Sequence, residues 1–104
     1  MARVMASRKT IVWTGPALDD LGRIKEYVER DDPRAAETLA ARIRESVLRL
    51  QHHPLSGRIV PEYASRGLRE VIVSPYRIVY EVGSRHVVVL RVWHGRQDLS
   101  HHAT

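Results

Sequence analysis

At 104 residues, with 43% hydrophobic and 28% charged side chains, the chain has room for a single domain around one core, which excludes separate binding and catalytic domains. No apolar run approaches the ~20 residues of a membrane span, residues 1–7 hold no signal-peptide core, and no cysteine can form a disulfide or a thiolate metal site, so a cytoplasmic protein is expected. The net charge of +5, carried by arginines apart from Lys9 and Lys25, predicts an acidic partner, either a nucleic acid or an acidic protein segment, although a GC-rich genome would also raise the arginine count.

In chain order, residues 1–8 read as a basic, flexible N-terminus, and the β-branched run Thr10–Trp13 with Lys9 predicts a first strand. Thr14 can cap a helix in which Pro16 occupies the first turn, with Asp19 and Asp20 near the positive end of its dipole. Ala17, Leu21, Ile24 and Val28 fall on one stripe of that helix. It must end at Asp31-Asp32-Pro33, because the residue before a proline is pushed out of the α region. Asp32 and Pro33 then cap and open a second helix, which should run to about Gln51 with Ala36, Ala40, Ile43, Val47 and Leu50 inward. Such close spacing predicts an α-helical hairpin.

His52-His53-Pro54 stops the second helix, and residues 55–66 read as a loop back to the sheet. Residues 67–95 divide into three runs rich in Val, Ile and Tyr, broken at Ser74-Pro75 and Gly83-Ser84-Arg85, which predicts a three-stranded antiparallel meander. Residues 97–104 read as a flexible tail. The expected fold class is α+β: an N-terminal strand, an α-helical hairpin and the meander, with the helices on one sheet face and residues 1–104 forming one domain.

Register decides which side chains are free to act. A three-residue loop at 83–85 would set Val82 opposite His86, Tyr80 opposite Val88, Ile78 opposite Leu90 and Tyr76 opposite Val92. Arg77, Arg91 and Trp93 would then share the other face; a two-residue loop would flip the last strand and bury Arg91. Arg77 is the leading functional candidate, against an ion pair with Glu81 or Glu70. Arg91 and Trp93 could stack on and pair with a partner, or be covered by the tail. His94 reads as a hydrogen-bonded structural histidine, Arg42 and Arg49 as solvated, and Tyr76 and Tyr80 as core tyrosines with wet hydroxyls. The pairs His52-His53 and His101-His102 lack metal-ligand spacing, and no phosphate loop or nucleophile elbow is present, so no metal or cofactor is expected.

Over nearly its whole length the chain resembles the ParE/RelE superfamily of type II toxin–antitoxin toxins, also known as plasmid stabilisation proteins. The resemblance rests on Trp13 with Ala17, Leu21, Ile24 and Tyr27-Val28; Pro33, Ala35 and Ala36; Leu50, Pro54 and Gly57-Arg58; Leu68-Arg69; Tyr76 to Tyr80; and His94-Gly95-Arg96. It implies a toxin neutralised by a co-expressed antitoxin with an acidic C-terminal segment, and offers two activities. ParE-like members inhibit DNA gyrase, whereas RelE-like members cut messenger RNA on the ribosome. Arg77 matches the RelE-like arginine that faces the phosphate, but the next such arginine falls on Gln97 and the late tyrosine has no counterpart. Against the nuclease subgroup ending in a His-Tyr pair, Gly95 and Arg96 stand in those places. Glu62 and His94 could replace the base and acid, giving a nuclease set of Arg77, Arg96, His94 and Glu62. The incomplete set favours a gyrase inhibitor over an mRNA endonuclease or a non-toxic co-repressor. Target or antitoxin contacts are expected at Arg69, Arg77, Arg91, Trp93, His94 and Arg96, and an antitoxin-facing hairpin surface at Leu21, Ile24, Val28 and Ile43.

Overall fold

The computed structural model describes residues 8–95. Strand β1 (Thr10–Trp13) leads into α1 (Gly15–Glu29) and α2 (Pro33–Leu48), followed by β2 (Arg58–Ile59), β3 (Arg69–Val73), β4 (Tyr76–Val82) and β5 (His86–His94). Short 3₁₀ turns cover Arg49–Gln51 and Pro61–Arg66. The helix boundaries follow from the caps: Thr14 Oγ1 accepts the Ala17 N–H at 3.2 Å, and Asp32 Oδ1 accepts those of Arg34 and Ala35 at 3.0 and 3.2 Å.

The strands form one sheet in the order β1-β5-β4-β3-β2. β1 lies at one edge, parallel to β5, with Thr10 opposite His86 and Trp13 opposite Val89. At the other edge, two residues of the expected 55–66 loop pair with β3 as β2. The meander is therefore the centre of a five-stranded sheet.

The expected β4–β5 register is corrected. Val82 stands opposite Val87 and Tyr80 opposite Val89, while Val79 faces Arg91, so Leu90 is an extra residue on β5. A bulge of this kind reverses which face each later residue meets. Val87, Val89 and Val92 all reach the core as a result, and Arg91 and Trp93 remain beside Val79 and Arg77. The bulge is held from outside the sheet: the Thr14 hydroxyl donates to the carbonyls of Val89 and Leu90 at 2.9 and 3.1 Å. Beyond Val89, β1 has ended, and Asp20 of α1 takes the place of a neighbouring strand by accepting the Val92 N–H at 2.9 Å. Asp20 is thus turned inward and 5% exposed, not a free charge at the helix start.

Beneath the hairpin, Ala17, Ile43 and Val47 pack on Val73, Tyr76, Ile78, Val89 and Val92, with Leu21 and Ile24 against them. The opposite face is not open. Residues 60–68 fold over it, so that Val60 and Leu68 pack with Val79 and Trp93. Tyr80 lies in a third cluster with Leu50 and Val87, and its hydroxyl is not wet: it accepts the Gly57 N–H at 3.0 Å and donates to the Pro54 carbonyl at 2.7 Å. A Cβ on Gly57 would lie 2.5 Å from that oxygen, which ties the glycine, the proline and the tyrosine into one joint. Tyr80→Phe should therefore cost about 1–3 kcal/mol by leaving two buried polar groups unpaired, read as a lower urea midpoint at unchanged m-value.

Candidate functional site

On the face covered by residues 60–68, β3 places Glu70 diagonally beside Arg77 of β4, since Glu70 pairs with Val79 and Arg77 with Ile72. The Glu70 side chain is 0% exposed and accepts from Arg77 Nε at 2.6 Å and from Arg58 Nε at 2.5 Å. Arg77 turns its other end to Glu62, with Nη1 and Nη2 at 3.4 and 3.3 Å from the two carboxylate oxygens. Burial opposes the charge on Arg77, and the hydrogen bonds and charges of Glu70 and Glu62 overcome it, so its pKa is raised and it stays protonated. The hydrogen bonds from Arg77 hold Glu62 below the usual carboxylate range. A carboxylate bound in this way is a weak proton acceptor.

The second charged centre lies along α1 and β5. Arg91 donates from Nε and Nη2 to Asp20 at 2.8 and 2.9 Å, and Arg23 reaches the same carboxylate at 2.8 Å. Burial pushes the Asp20 pKa up, but these bonds, the Val92 N–H and the two guanidinium charges outweigh it and leave it lowered. Arg91 also sits 5.0 Å above the Trp93 ring. A groove of about 460 Å³ beside it is walled by Tyr63, Leu68, Val79, Leu90 and Trp93, with Arg66 and Arg91 at its margin.

Other expected residues are placed differently. Arg69 donates to the carbonyls of Leu55 and Gly57 at 3.3 and 2.8 Å, pinning the segment before β2. His94 meets the Tyr76 ring edge-on at 5.6 Å and lines a depression of about 320 Å³ with Arg77 and Arg58. Of the hairpin residues, Ile43 is fully buried and Leu21 and Ile24 pack under the helices, with Val28 half-buried; Leu18, Tyr27 and Leu48 are the exposed apolar residues there. Arg96 and Gln97 lie outside the described residues. Asp20, Glu70 and Arg58 were not singled out as site residues from sequence. Asp20 carried a signal, falling at helical spacing beside Ala17, Leu21 and Ile24, and Glu70 carried one as a carboxylate inside an apolar strand. No group of three or more His, Cys, Asp or Glu suited to a metal occurs among the described residues.

A two-helix hairpin on a five-stranded sheet, with an arginine of the central strand bound in a carboxylate cluster, defines a small single-sheet α+β domain. Residues 11–99 match the family described as the ParE toxin of the type II toxin–antitoxin system, parDE, and the chain belongs to that family. It is 42% identical over 94 residues to protein Y4kP of Sinorhizobium fredii, covering 88% of this chain and 94% of that one. It is 38% identical over 85 residues to toxin RelE2 of Caulobacter vibrioides, covering 81% of this chain and 92% of the relative. In fold it is similar to the chromosomal ParDE system from Pseudomonas aeruginosa, with a TM-score of 0.71 at 24% identity over 85% of this chain and 97% of that one.

Removing one partner of a buried pair leaves the other charge uncompensated. Arg77→Met, which strands Glu70 on the mostly exposed Arg58, should lower stability by about 3–5 kcal/mol in urea titration. Acid should also destabilise the fold. Asp20 and Glu62 have folded-state pKa values below their ordinary 3.8 and 4.5, so their contribution is complete above those values and is lost as pH falls through the lowered ones. Unfolding midpoints should hold above about pH 5 and drop below it, and Asp20→Asn should flatten the drop while lowering the plateau.

Proposed function

We propose that the protein acts by binding, as an inhibitor of DNA gyrase that a cognate antitoxin neutralises. The observation that carries this reading is the state of Arg77, whose Nε is spent on Glu70 and whose outer nitrogens meet Glu62. Metal-free RNA cleavage needs a cation turned to the scissile phosphate and a free base, and here the two groups that would supply them neutralise each other. Membership of the ParE family supports the same reading. The +5 charge and the exposed Leu18, Tyr27 and Leu48 on the hairpin suit an amphipathic acidic antitoxin segment.

The rival reading, a ribosome-dependent mRNA endonuclease, is favoured by one observation: Arg77 and His94 line the same depression. Likeness to toxin RelE2 is compatible with it. Purified protein should block gyrase supercoiling in vitro and leave transcript 5′ ends unchanged in primer-extension mapping after expression without antitoxin. Gyrase untouched at high excess, together with new 5′ ends, would reverse the assignment.

A further inference from the structure

Residues 60–68 cover the second face of the sheet only in part. Between them and the start of α1 the groove of about 460 Å³ stays open, floored by Leu68, Val79 and Trp93 and walled by Tyr63 and Leu90. No carboxylate borders it, and two arginines do. Arg91 is held by Asp20. Arg66 is exposed and, among the described residues, forms no ion pair. Glu62, which lies on the same 3₁₀ turn, is turned to Arg77 instead. The groove therefore suits an apolar side chain with a carboxylate beside it.

The chain itself supplies that pair just past the sheet. β5 ends at His94, and the Gly95 N–H donates to the Pro75 carbonyl at 2.5 Å. Residues 96–104 read RQDLSHHAT, in which Asp98 is the one carboxylate side chain and Leu99 the one large aliphatic. The family match runs to residue 99 and so takes in both. At ~3.3 Å per extended residue, Trp93 lies ~7 Å back from Gly95 and residues 96–99 reach ~13 Å, enough to turn and bring Leu99 level with Trp93. Successive side chains of an extended segment point opposite ways, so with Leu99 turned inward Asp98 faces the rim, within reach of the long Arg66 side chain.

We propose that the segment after Gly95 turns back along β5 and seats Leu99 in this groove, against Leu68, Val79 and Trp93, with the Asp98 carboxylate paired to Arg66. Two other occupants fit less well. A second copy would set +5 against +5. A separate acidic peptide lacks the tether, which for a short linker supplies an effective concentration on the order of mM. The seat does not depend on which target the protein engages. It closes an open part of the second face and ties residues 60–68 to β5, so a partner that docks on Trp93 must first lift Leu99 out.

A nuclear Overhauser spectrum of the full chain with labelled methyl groups tests this directly. Cross-peaks should join the Leu99 methyls to those of Leu68 and Val79 and to the Trp93 ring. Arg66→Glu should weaken them by setting like charges together, and Arg66→Glu combined with Asp98→Arg, which restores the pair with its charges exchanged, should bring them back. Arg85→Glu makes the same charge change at an exposed position in the β4–β5 loop and should leave them intact. Absence of the cross-peaks in the unsubstituted chain would overturn the proposal. So would cross-peaks that appear only between labelled and unlabelled copies, which would put a second chain in the groove, or equal weakening by Arg66→Glu and Arg85→Glu.

Discussion

The carboxylate of Glu70 is fully enclosed near the edge of the sheet, and a charge in that position persists only where cations touch it directly. Its two cations come from different parts of the chain. Arg77 comes from β4, and Arg58 from the two-residue strand that closes the edge. Satisfying this carboxylate therefore joins the centre of the sheet to the segment after α2. Glu62, on the 3₁₀ turn that follows, completes the cluster from above. An apolar trio of similar volume would hold the sheet edge as well or better in energy. The charged cluster adds direction, since each guanidinium has one orientation that serves its partners.

Asp20 does comparable work at the opposite edge. β1 is four residues long and β5 is nine, so beyond Val89 the side of β5 away from β4 has no strand. Asp20 accepts the Val92 N–H there and also clamps Arg91, while Thr14 holds the carbonyls of Val89 and Leu90. The bulge at Leu90 thus lies between a helix cap and a helix carboxylate, both supplied by α1. Asp20 stands where the sheet has run out of backbone partners, whereas Glu70 lies between two paired strands and ties their side chains together.

These two clusters change the meaning of the charged sheet face. Arg77 and Arg91 have the residue type and position of ligand-binding groups, yet each already has a carboxylate in contact. A binding role can use them only by exchange, with an outside anion replacing an inside one. Glu62 is the partner most open to exchange, being 29% exposed and at the longest distance. Such exchange suits a protein whose proposed activity is to engage partners, and it suits catalysis less, because the base and the phosphate-binding cation neutralise each other.

Local signals in the sequence were sufficient for the two helices and for strands β1 and β3 to β5. Thr14, Asp32 and Pro33 set the helix starts, the Val, Ile and Tyr runs set β3 to β5, and Pro54, Gly57, Leu68 and Tyr76 to Tyr80 carried the family resemblance, because caps, periodicity and turns act within a few residues. The Pro54–Gly57–Tyr80 joint shows the limit: its members were legible as a motif, but the hydroxyl bonds that unite them were not. Only the tertiary structure decided the place of β1, the strand at Arg58–Ile59, the bulge at Leu90, the cover over the second face, and the partners of Arg77 and Arg91. Asp20 and Arg91 lie 71 residues apart in the chain, so their pairing follows from how α1 packs along β5 and not from any short-range pattern. Arg77 was thus identifiable from sequence as the residue to watch, while its commitment to Glu70 and Glu62 depended on three segments meeting in space.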